Sequence, residues 1–185
     1  MKGEPSKRHD VIIGGIGGTG SMIIGQILAS AAVSRYNNVL WNPSMTTARR
    51  GAPADCTVIL SDTEIASPLL LNAETVIMTE SSRLKAFEGR VLPGGMIILE
   101  SSGKNEAVER SDVRVVEIPG VEIAARLGNA LARNMVLLGA YVEKLDPLPA
   151  ALIEEEIARK FPDNAKIREL NLNAFREGMK IARSI

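Results

Sequence analysis

The segment with the clearest chemical potential runs from Val11 to Ser21 and has five glycines in the seven positions from 14 to 20. Glycine accepts positive φ and has no Cβ, so main-chain N–H groups and the positive end of a following helix can face an anion. An apolar run precedes the glycines and a long apolar segment at helical spacing follows them, which predicts strand, turn and helix. The predicted phosphate-contacting residues of this turn are Gly15, Gly17, Gly18, Thr19, Gly20 and Ser21. The alternative is that the glycines only make a tight, closely packed turn.

The charges around this turn suggest which anion it prefers. A dinucleotide ribose is usually held by an Asp or Glu about 20 residues beyond the glycines. No carboxylate occurs between Val11 and Ala54, whereas Arg35, Arg49 and Arg50 all lie there. We therefore predict an electropositive mouth that favours an anionic ligand over an unphosphorylated dinucleotide.

Composition excludes several classes of protein. The 185 residues suggest one domain, and the 22 basic and 22 acidic residues leave no basic excess for nucleic acid. No apolar run is long enough for a membrane span, and the charged start does not resemble a secretory signal. We expect a cytoplasmic protein whose residues 1–9 form a disordered arm. Cys56 is the single cysteine and His9 the single histidine, so we expect no metal site here, a buried Cys56 and a solvated His9.

Continuous apolar runs alternating with helical patterns predict a doubly wound, mostly parallel, Rossmann-like α/β sheet with helices on both faces and a helical C-terminal third. The predicted strands are 11–13, 38–41, 56–60, 75–79, 96–99 and 113–118. The predicted helices are 21–34, 82–88, 121–127, 130–144, 150–159 and 167–182. Between the second and third strands, residues 42–55 are expected to form a long loop at the carboxyl edge. A short return strand at 64–66 is expected to form a hairpin at the sheet edge. The broad apolar surface of the last helix favours packing within the chain, with a subunit contact as the alternative.

No Ser, His and Asp set for acyl transfer and no distinctive carboxylate pair occurs in the sequence. The residues thus predict a binding edge without a catalyst.

The chain resembles the gamma subunit, or gamma domain, of the 2-oxoacid:ferredoxin oxidoreductases, which act on pyruvate, 2-oxoglutarate, ketoisovalerate or indolepyruvate. The matching segments occur in order and cover nearly the whole chain: IIGGIGGTGSMIIGQILASAA, PSMTTARRGAPADCTVILSDTEIASPL, PGGMIIL, GNALARNMVLLGAY and ELNLNAFREGMKIA. Similar family members commonly carry a YGPE-like run followed by Arg-Gly-Gly after the second strand. Here Met45–Ala48 replaces the first part, and Arg49, Arg50, Gly51 and Ala52 follow, so Arg50 and Gly51 keep the pattern.

The resemblance implies a single gamma-type domain over residues 1–185 that has no catalytic residue and is inactive alone. It would help form the coenzyme A side of the active site and the assembly interface, with Arg49, Arg50 and Gly51 joining the glycine turn. Thiamine diphosphate and [4Fe-4S] clusters would belong to alpha, beta and delta partner subunits. The complex would oxidatively decarboxylate a 2-oxoacid to acyl-coenzyme A and pass electrons to ferredoxin.

Two alternatives stay open at this point. Arg49 and Arg50 could take the 2′-phosphate of NADP in a free-standing NAD(P)-dependent oxidoreductase. The chain could also be a noncatalytic nucleotide-binding module.

Overall fold

The computed structural model describes residues 7–45, 52–103 and 106–185. The described strands are β1 (Arg8–Ile16), β2 (Asn38–Met45), β3 (Pro53–Ser61), β4 (Ala73–Met78), β5 (Val91–Glu100) and β6 (Arg114–Ile118). The described α-helices are α1 (Ser21–Ala32), α2 (Leu84–Phe87), α3 (Gly120–Arg126), α4 (Arg133–Leu145), α5 (Ala150–Lys160) and α6 (Ala165–Arg183). Each predicted strand and helix has a counterpart, apart from the return strand at 64–66, and α4 is preceded by a 3₁₀ turn, Ala130–Ala132.

The strands form one mixed sheet in the order β2-β3-β1-β4-β5-β6. Strands β1, β4, β5 and β6 pair in parallel, whereas β3 pairs antiparallel with both β1 and β2. The mostly parallel α/β sheet is therefore confirmed, although β1 and β2, consecutive along the chain, are not neighbours in it. β3 lies between them because the hairpin that joins it to β2 folds it back onto β1.

The segment 42–55 is expected to be a loop, but most of its described residues are in strands. Asn42 pairs with Thr57 and Met45 with Ala54, so β2 and β3 continue well into it. Pro43 is tolerated because β2 is at the sheet edge, where one side of a strand needs no ladder partner. The expected return strand at 64–66 is absent from the described segment 62–72, which contains no strand; the actual edge hairpin is β2–β3.

Helices cover the two faces of the sheet unequally. A large core packs α1, α3, α4, α5 and α6 against one face, with Ile13, Val58 and Ile98 among its buried strand residues. A smaller core on the other face packs Leu84 and Phe87 from the short α2 region against strand residues such as Ile12. The sequence expectation of helices on both faces holds, although nearly all the helical mass is on one.

Helices α4 and α6 pack with their backbones in close contact. A Cβ on Gly139 would lie 2.1 Å from the carbonyl oxygen of Phe175, and one on Gly178 would lie 2.0 Å from that of Val136. Ala174, Phe175 and Ala182 of α6 are buried in the large core. The packing of the last helix within the chain is thus the observed arrangement, and Ile167 remains its exposed large apolar side chain.

The N-terminal segment departs from expectation at two residues. Strand β1 begins at Arg8, so Arg8 and His9 pair with Ser61 and Leu60 instead of belonging to a disordered arm. The His9 ring contacts Tyr36 edge to face, with 6.3 Å between ring centroids. The pKa of His9 is lowered, and burial is the largest of its several causes. His9 is half-buried rather than solvated.

Candidate functional site

The glycine turn joins the end of β1 to the start of α1 at the carboxyl edge of the sheet. Gly18 and Gly20 have φ angles of 90° and 81°, in the region that favours glycine, and both are exposed. Gly20 is the N-cap of α1, where no side chain caps the helix and no acidic residue occupies the first turn. Uncapped N–H groups at a helix N-terminus carry partial positive charge. The turn therefore presents an anion-accepting backbone at Gly18, Gly20 and the first residues of α1.

The other predicted residues of the turn are used to build it. Gly15 is buried, and a Cβ there would lie 2.4 Å from Thr79 Oγ1. The N–H and hydroxyl of Thr19 both donate to the Ile16 carbonyl, at 3.2 and 2.7 Å. Ser21 is buried and its hydroxyl donates to the Ala54 carbonyl at 3.2 Å. Gly17 N–H donates to the Ala52 carbonyl at 2.7 Å. The turn thus combines residues that pack or bond within the chain with the exposed backbone of Gly18 and Gly20.

The remaining predicted site residues, Arg49, Arg50 and Gly51, lie outside the described residues. The chain that follows them lies beside the turn, since the Ala52 carbonyl accepts from Gly17 N–H and Pro53 pairs with Ile16. Arg35 is elsewhere: it follows the C-terminal end of α1 and lines a groove with Lys7, Asp62 and Asp146 at the opposite edge of the sheet. The expectation that Arg35 contributes to the positive mouth is wrong, because a helix carries its two ends to opposite edges.

The N-terminus of α4 holds two loops of the carboxyl edge, which sequence reasoning missed. Arg133 forms an ion pair with Glu80, which follows β4. The next residue, Asn134, is only 3% exposed and donates from Nδ2 to the Thr19 carbonyl at 2.7 Å. A Cβ on Gly20 would lie 2.8 Å from the same Nδ2. The absence of a side chain at position 20 thus lets α4 approach the turn, a tertiary contact that no local pattern reveals.

A pocket opens between the glycine turn, α4 and α6. It has a volume of about 280 Å³, and its polar lining side chains are Thr19, Asn129, Asn134 and Asn171. Most of its wall is apolar, contributed by Ile23, Leu131, Ala132, Met135, Phe161, Ile167 and Leu170. No charged side chain lines it among the residues the structure describes. A pocket with this lining suits a neutral group that both packs and hydrogen-bonds.

Carboxylates elsewhere on this edge have structural partners. Glu100 accepts from the N–H groups of Ser102 and Val121 at 2.8 and 3.1 Å, which caps the start of α3. Asp55 lies 3.9 Å from Arg90; burial raises the pKa of Asp55, while the charges of Arg90 and Arg83 oppose that rise. Both carboxylates therefore have partners within the fold.

The structure also places Cys56 and the residue types that bind metal ions. Cys56 is buried as expected, and burial raises its thiol pKa to about 11, so the reactive thiolate is disfavoured at neutral pH. Across residues 7–45, 52–103 and 106–185, no three His, Cys, Asp or Glu side chains are grouped to hold a metal ion. Nor does any helix in those ranges combine the length and apolarity needed to cross a bilayer.

Comparison with known proteins identifies the relatives of this chain. The family described as pyruvate ferredoxin/flavodoxin oxidoreductase matches residues 10–181. Ketoisovalerate oxidoreductase subunit VorA of Methanothermobacter thermautotrophicus is 30% identical over 94% of this chain, which spans 36% of that protein. 2-oxoglutarate synthase subunit KorC of the same organism is 26% identical, over 94% of this chain and 95% of its own length.

A solved structure has the same fold. The 2-oxoglutarate:ferredoxin oxidoreductase from Magnetococcus marinus, with 2-oxoglutarate, coenzyme A and succinyl-CoA bound, has a TM-score of 0.88 and 21% identity. The match covers 97% of this chain and 32% of that one. The chain therefore spans about a third of the length of some relatives and nearly the full length of others.

Proposed function

The chain belongs to the pyruvate ferredoxin/flavodoxin oxidoreductase family, and on that premise we propose that it is the gamma subunit, or gamma-type domain, of a 2-oxoacid:ferredoxin oxidoreductase. Residues 1–185 form that domain in a cytoplasmic complex with alpha, beta and delta subunits. The complex converts a 2-oxoacid and coenzyme A to acyl-coenzyme A and carbon dioxide, and passes the electrons to ferredoxin. The observation that carries this proposal is the family match over residues 10–181.

The chain's own part is to bind coenzyme A and to position it. Gly18, Gly20 and the uncapped start of α1 accept a phosphate of coenzyme A, because backbone N–H groups there have no acidic neighbour. Gly15, Gly17, Thr19 and Ser21 hold that backbone in place. Arg49, Arg50 and Gly51 complete the phosphate site, since guanidinium groups pair well with phosphate oxygens.

The chemistry of decarboxylation and electron transfer belongs to the partners. Thiamine diphosphate supplies the carbanion chemistry when bound, and [4Fe-4S] clusters carry the electrons, both on other subunits. The described residues of this chain support that division, because the single thiol is buried and the carboxylates of the edge are already paired. The isolated chain is inactive.

The proposal is tested by co-expressing the chain with the genes encoded beside it and purifying through a tag on this chain. We expect a complex that contains thiamine diphosphate and iron–sulfur clusters and reduces ferredoxin only with both a 2-oxoacid and coenzyme A. Ketoisovalerate and 2-oxoglutarate are the first substrates to compare. A chain that purifies alone and shows NADP-dependent dehydrogenase activity contradicts the proposal.

A pair of variants tests the phosphate site within the complex. Replacing Arg50 by Ala is expected to raise the KM for coenzyme A about tenfold and leave that for the 2-oxoacid unchanged, because one charged phosphate contact is lost. Arg35→Ala is the matched control, since Arg35 lies at the opposite edge of the sheet. Equal KM values for coenzyme A in the two variants would show that Arg50 does not contact coenzyme A.

A further inference from the structure

We propose that the pocket between the glycine turn, α4 and α6 binds the adenine base of an adenine nucleotide. The identification of that nucleotide as coenzyme A rests on the proposed function. The assignment of the base rests on the pocket itself. The pocket and the exposed turn share Gly18 and Gly20, so a base in the pocket and a phosphate at the turn would be neighbouring parts of one ligand.

An unpaired polar atom is the first argument for a ligand here. Asn134 lines the pocket and is 3% exposed. Its Nδ2 donates to the Thr19 carbonyl, which fixes the orientation of the amide because a carbonyl can only accept. Its Oδ1 is buried and has no hydrogen-bond partner anywhere in the described part of the chain. A buried acceptor without a donor is costly, so a ligand that brings an N–H group to it gains affinity.

The neutral lining is the second argument, because no charged side chain among the described residues is there to pair with a charged occupant. Hydrogen-bonding capacity comes from three Asn side chains, which offer both donors and acceptors. Asn129 and Asn171 already bond locally, through Oδ1 to Leu131 N–H and through Nδ2 to the Ile167 carbonyl. Each retains a further N–H as a donor. Adenine presents an amine donor beside ring-nitrogen acceptors, and the lining offers both an amide acceptor and amide donors for them.

The apolar wall is the third argument and favours a flat ring over a flexible chain. Phe161, Met135 and Leu170 line the pocket, and an aromatic or apolar surface is where a base stacks. Leu131 is 71% exposed and Ile167 41% exposed at the pocket. These side chains become covered when a base enters, which supplies the apolar contribution to binding.

The base is tested by calorimetric titration of the full 185-residue chain with adenosine 3′,5′-bisphosphate and inosine 3′,5′-bisphosphate. The two ligands differ at the base edge, where inosine has a carbonyl oxygen in place of the amine donor and an N1–H donor in place of the N1 acceptor. We expect inosine to bind at least tenfold more weakly, because two acceptors would then face each other at Asn134. Equal affinities, or no binding of the adenosine ligand, would overturn the proposal.

Two variants test whether the base binds in this pocket. Ile167→Gln is expected to weaken adenosine 3′,5′-bisphosphate several-fold, because it puts a polar group into the apolar wall. Val33→Gln, at an equally apolar but 69% exposed position beyond the other end of α1, is expected to bind as the unmodified chain does. Unchanged binding by Ile167→Gln would overturn the assignment, as would displacement from the pocket by phosphopantetheine alone.

A third ligand separates this proposal from the proposed function. Adenosine 2′,5′-bisphosphate represents the NADP end, whereas the 3′,5′ isomer represents coenzyme A. Preference for the 3′,5′ isomer supports both proposals. Preference for the 2′,5′ isomer, with adenine still favoured over hypoxanthine, would support the base pocket but contradict the coenzyme A function.

Discussion

The two edges of the sheet carry grooves of similar size but opposite chemistry. At the carboxyl edge, the pocket of about 280 Å³ has an apolar wall, amide side chains and an uncapped helix start. At the amino edge, a groove of about 360 Å³ contains Lys7, Arg35, Asp62 and Asp146. The charged groove has two cations and two anions, so its charges balance internally. The neutral pocket instead has amide side chains, one of which keeps an unpaired acceptor at Asn134, beside a helix start without a side-chain cap. An apolar wall with amide groups therefore distinguishes the carboxyl edge, and balanced charges distinguish the amino edge.

Helix α4 runs from one edge to the other, since it begins with Arg133 and Asn134 at the carboxyl edge and ends at Leu145 near the amino edge. Its position depends on the glycine contact with α6. Gly178→Ala would put a Cβ 2.0 Å from the Val136 carbonyl, so the helix backbones must separate. We expect a loss of about 3 kcal/mol in the free energy of unfolding and weaker ligand binding at the carboxyl edge, measured by urea denaturation and calorimetry. Gly89→Ala is the control, because nothing lies within 4 Å of a Cβ there; equal losses would show that the close helix contact is not responsible.

A smaller change should affect the carboxyl edge alone. Asn134→Leu removes the 2.7 Å bond to the Thr19 carbonyl and leaves that carbonyl without this donor. We expect a loss of about 1–3 kcal/mol in unfolding free energy and faster amide hydrogen exchange at Gly18–Ser21. Exchange should stay unchanged at β6, which lies at the far end of the sheet. Unaltered exchange at the turn would mean that α4 does not position it.

The corresponding change at the amino edge is Tyr36→Phe. The Tyr36 hydroxyl donates to the Pro147 carbonyl at 2.8 Å and so ties the segment after α1 to the segment after α4. Its removal is expected to cost about 1 kcal/mol in unfolding free energy, with no change in the affinity for coenzyme A in the assembled complex. A change in that affinity would show that the two edges are coupled.

The smallest expected effect is the titration of His9 at the amino edge. Burial lowers its pKa, as does Lys7, while the carboxylates of Glu74, Asp10 and Asp146 oppose the shift. The folded chain thus favours neutral His9, and the unfolded chain binds more protons. Stability from this residue is complete above the ordinary pKa of about 6.5 and is lost as pH falls through that value toward the lower folded pKa. Urea denaturation between pH 5 and 8 should show that the free energy of unfolding rises with pH, and that this rise is smaller in His9→Gln. An identical rise in the two proteins would exclude His9 as its source.

Much of the fold could be predicted from local patterns. Continuous apolar runs located the strands, and helical spacing located the five longest helices within a few residues. The neighbours of each strand could not be predicted in this way. β3 has the same kind of apolar run as the parallel strands, so its reversed direction depends on the hairpin with β2 and on pairing with β1.

The candidate site shows the same division. The glycine spacing predicted the turn and its place at the carboxyl edge, because glycine chemistry acts within a few residues. Asn134 could not be predicted as part of it, since it is 115 positions away from the residue that it contacts. The position of Arg35 could not be predicted for a related reason: although Arg35 is near the turn along the chain, helix α1 separates the two in space.

The amino-acid sequence by itself determined most of the element types, the backbone freedom of the glycine turn and the family, all of which depend on residue identity and order. Tertiary structure alone decided which N–H groups remain unpaired, where the apolar pocket lies and which charges are neutralised. These depend on distances between segments remote along the chain, and such distances are set by the packing of α4 and α6 against the sheet.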